Sequence, residues 1–261
     1  MIYKRYVWFV KRHYSGGIIM ATTYTSNQSR IAGWVLLAGT ITMAVGAVIG
    51  SIYETFFDDG LESGEFGEFL TNAVTNSGAA KATIWLSIFG VLGIGLGGVL
   101  LSRLGDRNSL ATKTARFSFT VGAGAGIVLF PVLLGVIEEL APRYVAGEDV
   151  ETTARAIAYI GTTADWIATV VILGLGVATL AYAGRNTWVP RWLYRWSLLA
   201  AAAGVVSMIG TITNARSTVS MIILPVAMTW LIAAGIVAIR SQGDAVEEGA
   251  PRESADHSAA G

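Results

Sequence analysis

Six stretches of about 20 mostly apolar residues constrain this chain more than any other feature, since each can cross the ~30 Å hydrocarbon core of a bilayer as a helix. They cover residues 31–53, 82–102, 117–137, 157–182, 192–212 and 219–239. The charged residues inside them are Asp165 in the fourth and Arg195 just inside the fifth. Only 14% of the chain is charged, against about 25% in an ordinary soluble domain. Lipid is therefore the expected solvent, and the expected fold is all-α, a bundle of six transmembrane helices. The organisation read from the sequence is a lead segment over residues 1–30, a helical domain over 31–240 and a polar tail over 241–261. The tail, "SQGDAVEEGAPRESADHSAAG", is small, polar and acidic, and is expected to be disordered. Residues 1–19, before the second methionine Met20, read as an upstream start or as a segment lying along the inner membrane face.

The glycine-rich run Gly93-Ile94-Gly95-Leu96-Gly97-Gly98 has the look of a phosphate-binding loop. A dinucleotide fingerprint needs a strand before the glycines, a helix after them and an acidic residue about 20 positions on. Here the glycines lie in the middle of an apolar span, where a phosphate would sit in hydrocarbon. Small residues four apart in membrane helices instead let two backbones approach closely. Gly46 and Gly50, Gly93 and Gly97, and Gly122 and Gly126 fit that spacing, so they are read as packing surface.

Basic residues set the expected orientation. Lys4, Arg5, Lys11, Arg12 and Arg30 precede the first span, and Arg103, Arg107, Lys113 and Arg116 join the second to the third. Arg185, Arg191 and Arg195 fall on the same side, as do Arg240 and Arg252. The opposite side holds only Lys81, Arg143, Arg155 and Arg216. Positive charge collects in cytoplasmic loops, which predicts both termini inside. The external segments are acidic, with Glu54, Asp58, Asp59, Glu62, Glu65 and Glu68 in the first. The run "NTWVPRWLYRW" places Trp188, Trp192, Tyr194 and Trp196 at the start of the fifth span and reads as an interfacial anchor.

Residue usage excludes several chemistries. The chain has no cysteine, and its two histidines, His13 and His257, lie in the terminal segments. Bis-histidine haem, zinc proteases and serine–histidine catalysis inside the membrane are thereby excluded. A retinal Schiff base needs a lysine within a span, and the nearest, Lys81, stands at the mouth of the second. Glu138-Glu139-Leu140-Ala141-Pro142-Arg143 resembles the first motif of membrane CAAX-processing proteases, but the histidines those enzymes need are missing. Pro142 predicts a helix end before Arg143. No cofactor and no metal site is expected, and the aromatic–basic mixture beside a span is not a nucleic-acid surface.

Asp165 is the residue of most interest. Next to Trp166 it reads as interfacial if the membrane begins near Thr163; if it begins at Ile157, Asp165 is well inside, at a cost of roughly 2.5–3.5 kcal/mol on insertion scales. Thr162, Asp165 and Thr169 share one helical face; Ser207, Thr211 and Asn214 share another, and Thr83 and Ser87 are one turn apart. With Glu54 at the end of the first span, these form a candidate polar vestibule opening outward. The plainer alternative is hydrogen bonding between helices, worth ~0.6 kcal/mol per contact. Pro131 and Pro225 mark places where the third and sixth helices can break.

"RIAGWVLLAGTI", "VPRWLYRWSLLAAAAG" and "LPVAMTWLIAAG" resemble the first, fifth and sixth helices of a bacterial six-helix membrane family, domain of unknown function 4386. The resemblance implies the six-helix, termini-inside plan and no activity or catalytic residue. The expected protein is a non-enzymatic multi-pass protein of a prokaryotic cytoplasmic membrane, acting through lipids, a membrane-protein partner or a second copy. The alternative is a carrier of a small solute or cation through the vestibule around Asp165.

Overall fold

The computed structural model describes the backbone of residues 3–55, 61, 64–106, 108–212 and 216–240, and side chains over the same residues except 3–26, 210 to 212 and 216–223. The tail beyond Arg240 and most of the acidic run 56–63 lie outside the described residues. All regular structure among the described residues is helical: α1 (Tyr3–Ile52), α2 (Phe66–Thr75), α3 (Ser77–Ser102), α4 (Leu110–Val145), α5 (Glu151–Gly184), α6 (Arg191–Ile212) and α7 (Arg216–Arg240). Five helical stretches are long and apolar enough to cross a membrane: Asn27–Ile52, Ser77–Ser102, Leu110–Val145, Glu151–Gly184 and Arg191–Ile209. By length and composition they suggest a multi-pass membrane protein. In α7 the side chains are described over the apolar stretch Leu224–Arg240.

Glycine decides how α1 meets α3. A methyl group built on Gly93 would lie 2.6 Å from Gly39 Cα, and one on Gly97 would lie 2.7 Å from Leu36 Cα. A methyl on Gly90 would meet Met43 Cβ at 2.6 Å, and one on Gly46 would meet Leu86 Cβ at 3.1 Å. Any side chain at the centre of this crossing has a backbone in its way, so the helices touch main chain to main chain. Gly50 is buried near the end of α1. On α4, Gly122 sits under the Ile172 side chain, and a methyl on Gly126 would lie 2.9 Å from Val91 Cγ1. The bundle closes through α7. A methyl on Gly235 would lie 3.0 Å from Gly33 O, Ser29 Oγ donates to Ala238 O at 2.7 Å, and the buried Trp230 Nε1 donates to Leu193 O at 2.9 Å.

Three local expectations need correction. The first acidic segment is not loop throughout, because α2 occupies its second half and buries Phe66, Phe69, Leu70 and Ala73. The helix does not stop before Arg143. Val136–Leu140 forms a π turn, and Ala141–Val145 continues beyond it with Pro142 directly after the widened turn. Nor do Pro131 and Pro225 break their helices, since each lies inside a continuous one.

The buried apolar residues fall into two clusters. One gathers Phe66, Phe69, Ile84, Val91, Phe130 and Leu133 around α2 and the adjoining ends of α3 to α5. The other gathers Leu36, Ile94, Phe119, Trp166, Leu180 and Trp230. Met43 packs against both, and the candidate site lies where they meet.

Candidate functional site

A cavity of about 330 Å3 opens between α1, α3, α4, α5 and α7. Helix α3 contributes Thr83, Ile84 and Ser87; α5 contributes Thr162, Asp165, Trp166 and Thr169. Helix α1 adds Met43, Ala44 and Ala47, with Thr55 just beyond its end, and α4 adds Phe130 and Leu133. Leu224, Pro225 and Met228 of α7 complete the lining. Five of the residues predicted for the vestibule, Thr83, Ser87, Thr162, Asp165 and Thr169, therefore share one cavity. Their spacings of four on α3 and of three and seven on α5 put each set on one helical face.

Of the other four, Glu54 and Ser207 do not join them. Glu54 is exposed and does not line the cavity. It occupies the left-handed position at the end of α1, with φ 51, and Thr55 N donates back to Gly50 O at 3.0 Å. This is a Schellman-type helix end, usually made by glycine. It carries the neighbouring Thr55, absent from the sequence expectation, onto the cavity wall. Ser207 is buried in α6 and is not part of the lining. The side chains of Thr211 and Asn214 lie outside the described residues.

The hydroxyls are not equivalent. Ser87 Oγ donates to Thr83 O at 2.8 Å, and Thr162 Oγ1 donates to Tyr159 O at 3.3 Å, so both are engaged within their own helices. Thr55 and Thr83 are 2% and 4% exposed, and neither hydroxyl has a hydrogen-bond partner among the described residues. A buried hydroxyl without a partner costs about 1–3 kcal/mol, so two on one wall need a reason. Asp165 is half-buried and is the only acid among the described residues of the lining. Its neighbour Trp166 is 8% exposed and packed in the core. The Trp166 ring therefore packs against protein in this fold.

Other polar groups serve the frame. Lys81 pairs with Glu138 at 3.1 Å, tying α3 to α4 at the end that also carries α2. Arg143 pairs with Glu148 at 2.6 Å, and that hydrogen bond holds the Glu148 carboxyl below its usual range. Glu138 and Arg143, two of the three charged members of the protease-like string, are thus engaged in exposed ion pairs. At the opposite end Arg116 Nε donates to Ser102 Oγ at 3.1 Å, and Arg185 lies 3.7 Å over the Tyr182 ring. Of the aromatic anchor, Trp192 is exposed and packs 6.2 Å from Trp196, whereas Trp188 is buried. No group of three or more histidine, cysteine, aspartate or glutamate side chains that could hold a metal occurs among the described residues. Comparison with family models, curated proteins and solved structures finds no match for this chain.

Proposed function

We propose that this protein is a non-enzymatic, six-span protein of a prokaryotic cytoplasmic membrane that binds a small molecule in the cavity around Asp165, as a carrier or receptor does. In this reading α7 is the sixth span, both termini are cytoplasmic and the cavity opens outward. The observation that carries it is the shared cavity wall: Thr83 and Ser87 from one helix and Thr162, Asp165 and Thr169 from another, with the unpartnered hydroxyls of Thr55 and Thr83 among them. Intramembrane carboxylates are expensive and mark solute pathways. Solute cavities characteristically pair mostly apolar walls with a few polar groups. The bias of Lys and Arg toward one side supports the orientation, and the resemblance to a six-helix family supports the architecture. A built cavity favours ligand binding over action through partners or lipids alone.

The natural absence of cysteine makes the test direct. Single cysteines are placed at the exposed Ser77 and Asn108 to report the two sides, and at Ser87 to report the cavity. A membrane-impermeant thiol reagent added to intact cells is expected to modify Ser77→Cys and Ser87→Cys but not Asn108→Cys. Modification of Asn108→Cys alone would invert the orientation. A Ser87→Cys protein that resists reagent from both sides would remove the ligand site.

A further inference from the structure

We infer that the ligand of this cavity is an uncharged, mostly apolar molecule whose polar end is a hydrogen-bond acceptor, the carbonyl oxygen of a ketone or an ester. The inference rests on the reading of the cavity as a ligand site and adds the chemistry of what binds there.

The polar groups of the lining set what the ligand must supply. Ser87 Oγ and Thr162 Oγ1 donate to backbone carbonyls of their own helices, so their protons are spent. Asp165 is already engaged within the protein and needs no cation from a ligand. What remains is a pair of hydroxyl protons, on Thr55 and Thr83, with no acceptor among the described residues. An unspent donor is the rarer defect of a folded interior, whereas an oxygen with a spare lone pair is more readily tolerated. A ligand that only donates would leave both protons as they are. A carbonyl oxygen has two lone pairs and no proton, so a single such atom has the capacity for both.

Both hydroxyl oxygens are covered in the fold. Turning χ1 of a threonine exchanges hydroxyl and methyl, and a helical threonine such as Thr83 has two favoured rotamers. Because neither hydroxyl has a partner, the turn breaks no hydrogen bond. Ser87 and Thr162 are held by theirs.

The rest of the lining specifies the body. Ten of the 16 lining residues are apolar, so most of the ligand surface must be apolar too, or it would lose its hydration with nothing in return. A sugar-like polyol is excluded by that shortage of polar partners. An anion is excluded because the described lining offers no lysine, arginine or histidine to pair with it. Met43 and Met228 bring thioethers and Phe130 and Trp166 bring rings, a combination that adapts to irregular apolar and aromatic shapes. At about 330 Å3 the cavity is near the lower end of small-molecule pockets, ~300–1,000 Å3, and suits a ring with a short chain.

The test uses the full-length Ser87→Cys protein in nanodiscs of ether-linked phosphatidylcholine, which has no ester carbonyl. Protection from a thiol reagent is titrated with 4-phenylbutan-2-one, butylbenzene, 4-phenylbutan-2-ylammonium and 3-phenylpropanoate, compared at equal membrane concentration. The ketone is expected to protect at a concentration about ten-fold below the hydrocarbon, the worth of two hydrogen bonds, and both ions to protect less well than the ketone. Thr55→Val with Thr83→Val is expected to erase the ketone's advantage and leave hydrocarbon protection unchanged, while Thr55→Ser with Thr83→Ser keeps it. Should the valine pair fail to fold, the probe series on the Ser87→Cys protein still decides. A lipid ester carries the same acceptor as the ketone. Modification several-fold slower in nanodiscs of the ester-linked lipid would assign the acceptor to lipid, and an unchanged rate would assign it to a free molecule. Equal protection by ketone and hydrocarbon, or stronger protection by either ion, would overturn the acceptor while leaving a ligand site in place. A cysteine that no reagent reaches would overturn the site itself.

Discussion

Helices α1 and α3 do two different things on adjoining faces. On one face Gly39 meets Gly93 with no side chain between the backbones. On the next, Met43, Ala44 and Ala47 of α1 and Thr83, Ile84 and Ser87 of α3 line a cavity that also takes residues from α4, α5 and α7. The seam leaves no room for any atom that is not already there, whereas the cavity keeps space and carries two hydroxyls without a partner among the described residues. Close packing is concentrated in the seam.

The largest effect should come from breaking the seam. Gly93→Val places its Cβ against the Gly39 backbone, which no side-chain rotation can relieve, and should cost about 3 kcal/mol in thermal unfolding of the detergent-solubilised protein. Gly124→Ala on α4, where an added methyl meets nothing within 4 Å, should change stability by less than ~1 kcal/mol. Equal losses for the two would show that the close crossing does not hold the bundle. Within the cavity the sign reverses. Thr83→Val removes a hydroxyl that has no partner and should stabilise by about 1 kcal/mol, while Thr40→Val, whose hydroxyl donates to Leu36 O at 2.7 Å, should not. A destabilised Thr83→Val would mean the hydroxyl is satisfied within the fold.

A smaller gain is expected at the turn that delivers Thr55. Glu54→Gly relieves a left-handed backbone that favours glycine, with about 1 kcal/mol gained and the cavity unchanged, as read by Ser87→Cys reactivity. The smallest effect lies outside both regions. Because Arg143 lowers the Glu148 pKa in the fold, this pair stabilises above the ordinary carboxylate pKa and loses its contribution as pH falls through the depressed value. The difference between the wild-type protein and Glu148→Gln should therefore be slight at neutral pH, fade with added salt and vanish in acid. A difference that grows in acid would contradict the ion pair.

What was legible in the sequence depended on how local the signal is. Span length and apolarity are properties of one helix, so membrane-length helices were readable directly. Gly93 and Gly97 announced a packing face by spacing alone, but that Gly39 is the partner depends on how two helices slide past each other. Helix α2 was legible and was passed over. Phe66, Phe69, Leu70 and Ala73 fall at i, i+3, i+4 and i+7, a helical stripe obscured by the acidic residues around it. The polar half of the cavity could be read because Thr83, Ser87, Thr162, Asp165 and Thr169 stand out in apolar spans. Its apolar half could not, since Met43, Phe130 and Pro225 resemble every other residue of a membrane helix. Thr55 was hidden because only the left-handed turn at Glu54 brings it back over the helix end.

The π turn Val171–Gly176 gives α5 two phases. Such a turn amounts to one residue inserted into an α-helix, and one residue is a rotation of about 100°. The face that carries Thr162, Asp165 and Thr169 ends where the turn begins, and beyond it Val177, Leu180 and Ala181 are packed in the core. Deleting a single residue from the turn would restore a regular helix and rotate everything beyond it away from its neighbours. The length of this helix is thus fixed to the residue, and the half that lines the cavity and the half that anchors it in the core are kept in register by that one additional position.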